Sequence, residues 1–355
     1  MSKPFPPESI QQKLLSGTCI PAHPLALTAD RRFDEKHQRA LTRYYAESGA
    51  GGIAVGVHST QFEIRLPEFG LYQPVLELAA ETLSQSESET GNELIRVVGV
   101  AGGTAQAIKE AELAVELGYH IALVSLASFK HADNAALIEH LDAISDIIPI
   151  FGFYLQPAVG GRKLDYDFWR SAAEIDNLLA IKTAPFNRYD TIDVARALAD
   201  SGRADSISLY TGNDDNIILD LLTTYQFTPD GPSVPFRGGL LGQWAVWTHR
   251  AAQDFEAIKA LNSTQQPIPH KWMTRAQQLT DVNAALFDVA NGFHGCIPGI
   301  HEVLRRQGLL SGRWTLNPKE ELSPGQMEAI DRIYAAYPDL NDNQFIQSNL
   351  DRWLN

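Results

Sequence analysis

Apolar and polar positions along the chain fall into a repeating order, short apolar runs followed by longer stretches with helical spacing. The runs cover 18–27, 51–57, 95–101, 120–126, 147–155, 177–184, 205–212 and 236–242. They carry too few polar positions to be half-exposed antiparallel strands, and read as strands buried on both faces. Between them, 34–49, 74–84, 104–118, 134–146, 165–175, 190–201 and 216–225 show apolar residues at helical spacing, and a longer helical segment follows the last run. The polar stretch 84–93, SQSESETGNE, reads as an exposed loop insertion.

Eight strand–helix repeats imply parallel pairing through right-handed crossovers, which closes most naturally into a (β/α)8 TIM barrel. Beyond about 270 the pattern is helical only. The expected organisation is therefore a barrel over 1–265 and an appended C-terminal helical region over 266–355. VVGVAGGTAQA follows a strand, but its glycines do not make GxGxxG and no acidic residue ends the next strand, which argues against a dinucleotide fold.

Composition narrows the partners. The 355 residues are 44% hydrophobic and 20% charged, enough for a large core. Lys+Arg of 29 against Asp+Glu of 43 gives a net charge of -14, which disfavours nucleic acid or an anionic membrane as partner and says little about a small-molecule substrate. Cys19 and Cys296 are far apart and lack metal-ligand spacing. The N-terminal MSKPFPPESIQQ has no apolar stretch of a secretory signal, and no run reaches the length of a membrane helix. A cytoplasmic protein is expected.

In such a barrel, side chains at the C-terminal ends of strands face the site of chemistry. Lys182, in LLAIKTAP, is the salient one. Burying an ammonium is costly, and the same desolvation yields the neutral amine that attacks a ketone. The alternative is a strand-end lysine reaching solvent. Tyr154, in FGFYLQP one βα unit earlier, should stand on the neighbouring strand at the same mouth, where a phenol could shuttle protons. By itself it reads equally as a core aromatic. His58 follows the second run, with Ser59 and Thr60, in a turn whose N–H groups and hydroxyls could hold a carboxylate. Histidine there could also act as acid or base, or be a hydrogen-bonded loop residue. His23, at the first run, is a pocket-lining candidate.

This turn, Tyr154 and Lys182, in this order along the chain, resemble the dihydrodipicolinate synthase / N-acetylneuraminate lyase family of class I aldolases over roughly residues 17–310. Tyr154-Leu155-Gln156-Pro157 is similar to the family's Tyr-Asn-x-Pro, and Ile181-Lys182-Thr183-Ala184 to its Ile/Gly-Lys-x-Ala/Ser. Gly212-Asn213-Asp214 resembles its Gly-Asp-Asp turn, and Ile297 to Gly308 its late helix.

The resemblance implies a Schiff-base lyase, an aldolase or dehydratase, with Lys182 forming an imine with a 2-oxo acid or aldehyde and Tyr154 relaying protons. It implies no metal or organic cofactor, and a homo-oligomer, dimer or tetramer. Val57, Ser59, Thr60 and Gly212 would then contact substrate.

The departures are specific. The family's Gly-Thr-Thr-Gly-Glu turn reads Gly56-Val57-His58-Ser59-Thr60, so Val57 offers only its backbone and His58 or Ser59 must replace the lost threonines. The family's Pro-Tyr-Tyr reads Leu126-Ala127-Ser128-Phe129, and the synthases' arginine position reads Ala158-Val159, with Arg162 beyond. These losses argue against dihydrodipicolinate synthase itself. Arg237, Gln243 and Trp244 could line a pocket of different shape, with Trp244 reading equally as a packing residue. A barrel that binds a carbonyl metabolite as a sensor, without turnover, is the alternative.

Overall fold

The computed structural model describes residues 3–264 and 266–355. Along the chain the elements are α1 (Glu8–Ser16), β1 (Cys19–Pro21), α2 (Glu35–Glu47), β2 (Gly52–Val55), α3 (Tyr72–Thr90), β3 (Ile95–Val100), α4 (Thr104–Glu116), β4 (Ile121–Val124), α5 (Asn134–Ser145) and β5 (Ile150–Leu155). They continue with α6 (Tyr166–Ala172), β6 (Leu178–Ala184), α7 (Arg188–Asp200), β7 (Ser208–Thr211), α8 (Ile217–Leu222), β8 (Thr224–Tyr225), β9 (Val234–Leu241) and α9 (Thr248–Asn262). The helices α10 (Lys271–Leu286), α11 (Cys296–Arg306), α12 (Gln326–Ala336) and α13 (Asn343–Leu354) complete the chain. Among the described residues, no helix is long and apolar enough to cross a membrane. Residue 265, where the sequence places the end of the barrel, lies outside the described residues.

The chain packs as two compact units, 1–18 with 95–240, and 19–94 with 241–355. In the first, β3, β4, β5, β6, β7 and β9 pair in parallel in that order. Asp133, Asp165 and Asn187 accept backbone N–H bonds at the starts of α5, α6 and α7, which sets where each helix leaves its loop. The N-terminal α1, which the periodicity did not announce, supplies the Leu14 carbonyl that accepts from Ser208 Oγ and Tyr210 OH. Gly17 follows at φ +80, where an added Cβ would stand 1.7 Å from the Arg237 carbonyl oxygen, so only glycine fits.

In the second unit, β1 and β2 lie parallel, bridged at Ala22 and Ala54. Helix α13 packs on α2. The Tyr44 ring lies 5.5 Å from that of Trp353, and its hydroxyl donates to Asp342 Oδ2 at 2.6 Å. The stretch 84–93, expected as a loop, is helical as far as Thr90. Ser84, Ser86 and Thr90 turn their hydroxyls back to carbonyls four residues earlier, so the polar side chains satisfy themselves within the helix until Gly91 ends it in the left-handed region.

Candidate functional site

Every residue of β6 is buried, and Lys182 is 8% exposed. Its register partners are Phe153 on β5 and Tyr210 on β7. Partners in a parallel pair share a face, so these three side chains point the same way. The Lys182 ammonium lies 4.6 Å from the centre of the Phe153 ring. Burial lowers the amine pKa to about 8, and the negative charge of the nearby Asp214 opposes that fall. Room for the lysine arm comes from Gly212, where a Cβ would stand 2.7 Å from Lys182 Cε. The turn is held by Gly212 N–H donating to the Thr183 carbonyl at 2.8 Å and by Asn213, whose side chain donates to Asp220 and accepts from Phe186 N–H.

Tyr154 is on the neighbouring strand as expected, but not on the lysine's face. It pairs with Thr183, and its ring packs 5.9 Å from that of Trp169 on α6. Side chains alternate along a strand, so a tyrosine next to the lysine's register partner must face away. Its hydroxyl is buried near the Leu164 backbone and the Asp190 carboxylate without a well-formed hydrogen bond, and burial pushes the phenol pKa up to about 12. Phe153, which the sequence reading passed over, is the aromatic beside the amine. Tyr154→Phe is expected to leave imine formation at Lys182 within about twofold of wild type and to be neutral or mildly stabilising, because it removes an unpaired buried hydroxyl. A hundredfold loss of imine formation with an unchanged melting temperature would show that the phenol turns to the lysine.

The turn 56–61 belongs to the second unit. Thr60 Oγ1 accepts from the N–H groups of Gly56 and Val57 at 3.0 and 3.2 Å and donates to the His23 carbonyl at 2.7 Å. Thr60 is fully buried, and these donors are already used within the turn. Ser59 Oγ lies 3.4 Å from the same carbonyl. His58 is partly exposed, with its ring 6.0 Å from that of Phe62.

His23 is fully buried, so it lines no open pocket. Its ring nitrogens meet the Pro24 carbonyl and Thr42 Oγ1, each at 2.8 Å, and burial lowers its pKa to about 4. It is a neutral core histidine joining the segment after β1 to α2. Gln243 and Trp244 are 2% exposed, and Trp244 packs edge-on to Phe255. Arg237, in the first unit, donates to the Leu15 carbonyl. Among the described residues, no group of three His, Cys, Asp or Glu side chains could hold a metal ion.

One titrating group escaped the sequence reading. Glu320 sits in the segment whose Leu316 N–H donates to Gln61 Oε1 at 2.6 Å, and burial together with the charge of Glu63 raises its pKa to about 7. A carboxyl with a raised pKa favours the folded state while protonated, so its contribution is lost as pH rises from about 4.5 to about 7. Glu320→Gln is expected to be more stable than wild type at pH 8 by on the order of 1 kcal/mol, with the difference vanishing near pH 5. Urea unfolding at the two pH values checks this, and equal differences at both would refute it.

No family model matches the sequence. The 4-hydroxy-tetrahydrodipicolinate synthase of Acaryochloris marina is 29% identical over 182 residues, which is 48% of this chain and 60% of that protein's length. Among solved structures, a dihydrodipicolinate synthase from Oceanobacillus iheyensis superposes with a TM-score of 0.73 at 15% identity, covering 93% of this chain and 99% of that one. N-acetylneuraminate lyase from Fusobacterium nucleatum gives 0.70 at 15% identity, with 91% and 99% covered. A dihydrodipicolinate synthase from Acinetobacter baumannii, complexed with pyruvate, gives 0.72 at 17% identity, with 90% and 98% covered. The chain thus has the fold of these proteins, a (β/α)8 barrel with a C-terminal helical region, and the resemblance carried by its motifs is met again in both comparisons.

Proposed function

We propose that this chain is a divergent member of the dihydrodipicolinate synthase / N-acetylneuraminate lyase family and acts as a Schiff-base lyase. It is an aldolase or dehydratase working on a 2-oxo acid such as pyruvate or a sugar-derived keto acid, and not dihydrodipicolinate synthase itself. The observation that carries this reading is the buried Lys182, with its amine pKa near 8 and Gly212 clearing space beside its arm. The neutral amine attacks the substrate carbonyl carbon, the carbinolamine loses water, and the resulting iminium draws electrons from the bond that breaks at the substrate's own carbon chain. Phe153 cannot move a proton. His58, which keeps an exposed side, is the proton carrier in this reading. The protein works as a cytoplasmic homo-oligomer, dimer or tetramer, with the barrel over 1–265.

Borohydride reduction in the presence of pyruvate and a panel of keto acids tests the proposal by intact mass. One reduced adduct per chain is expected, absent in Lys182→Ala. His58→Ala should keep the adduct and lose turnover roughly a hundredfold, within the range of general acid–base catalysis. No adduct across the panel would refute the lyase.

The placement of Tyr154 against Trp169 favours one other reading, a keto-acid sensor without turnover. It expects thermal stabilisation by the keto acid that persists in Lys182→Met.

A further inference from the structure

Within the second unit, α9 and α10 border a cavity of about 540 Å³, in the size range of small-molecule sites. Arg250, Asp254, Lys271, Trp272, Thr274 and Arg275 are among its lining residues. Asp254 is only 7% exposed and holds both arginines. Arg250 Nη2 lies 2.7 Å from one carboxylate oxygen, and Arg275 Nε lies 3.4 Å from the other. Arg275 Nη2 continues to Asp339 at 2.7 Å, and Asp339 lines a smaller cavity of about 390 Å³ that shares Arg250. The Lys271 ammonium stands 5.3 Å from the Trp272 ring centre.

These pairings do not exhaust the guanidinium donors. Arg250 Nε and Arg275 Nη1 are buried with no hydrogen-bond partner. Buried donors rarely stay unpaired, because each one forfeits its hydration. The lining also carries more positive than negative charge, three cations against Asp254 and its outer neighbour Asp339. Asp254 fixes the two guanidiniums and leaves donors over, and such held guanidinium forks suit carboxylate and phosphate oxygens.

We propose that this cavity binds a small oxyanion, a phosphate or a carboxylate, at a site separate from Lys182. Ligand oxygens pair with the Arg250 and Arg275 guanidiniums, which turn their buried unpaired nitrogens outward on binding, with Lys271 supplying further charge from the exposed side.

Calorimetric titration of the full chain with inorganic phosphate, and separately with succinate, tests this at constant ionic strength held by potassium chloride. Saturable binding with a rise in Tm is expected for at least one of the two. Phosphate alone would define a phosphate-bearing ligand, and succinate alone a dicarboxylate. Arg275→Lys keeps the charge but removes the fork, and Lys271→Gln changes an exposed side chain. Each should weaken binding roughly tenfold, the size of one charge-assisted hydrogen bond, with the Tm of unliganded Lys271→Gln unchanged. Binding should survive in Lys182→Ala, so failure of the Schiff-base reading leaves this site standing. No saturable response to either anion, equal affinity in both arginine and lysine variants, or loss of binding in Lys182→Ala would overturn it.

Discussion

Lys182→Met is expected to abolish imine trapping and, at pH 7, to make the protein more stable by up to about 3 kcal/mol. The second effect follows from linkage. Burial lowers the amine pKa from 10.5 to about 8. Each unit is worth about 1.4 kcal/mol of preference for the neutral form, and relaxation of the surroundings reduces the sum. A lysine whose folded pKa is depressed destabilises the fold fully below about 8, where it is charged in both states. The penalty fades as pH rises from about 8 to 10.5, because the unfolded chain then binds more protons than the folded one. Urea unfolding of both proteins at pH 7 and pH 10 should show the gap closing. The trapping rate should rise with the fraction of neutral amine and level off just above pH 8. Asp214→Asn should move that inflection lower, since Asp214 holds the pKa up. An inflection near the ordinary lysine value would mean that the amine is solvated and that its burial plays no part in reactivity.

Gly212→Ala carries the second large effect. The added Cβ would stand 2.7 Å from Lys182 Cε, 3.0 Å from Lys182 Cγ and 2.7 Å from Ala184 Cβ, all well inside van der Waals contact. The Ala184 contact involves a rigid buried strand end, so the lysine arm is the part that moves. Displacement of a nucleophile by about 1 Å costs on the order of a hundredfold in rate, and overpacking of this kind costs about 1–3 kcal/mol of stability. Trapping kinetics and urea unfolding measure the two separately. A wild-type trapping rate in this variant would show that the reactive amine does not occupy the space kept by Gly212.

Each of these effects depends on a fact of register. Phe153 and Tyr154 are adjacent, and either could have faced the lysine. A slip of one residue turns every side chain of a strand to the other face. The register of β5 against β6 includes an irregularity between Ile150 and Phe151 that no period-2 pattern reveals. Thr60 shows the same limit. Its hydroxyl was open to a substrate carboxylate until the fold brought the Gly56 and Val57 N–H groups and the His23 carbonyl within reach. His23 likewise became a core residue through Thr42 of α2, whose hydroxyl meets its ring.

What the sequence by itself determined is the alternation of buried strands and helices, and the presence of one lysine inside an otherwise apolar run. Both are local properties, written in spacing and in the cost of burying charge. Only the tertiary structure decided which aromatic stands beside Lys182, which hydroxyls are already committed, and that Asp214 and Gly212 set the amine's charge and space. Those depend on which strand ends and turns meet, and residues far apart in sequence carry no local mark of the neighbours that packing will give them.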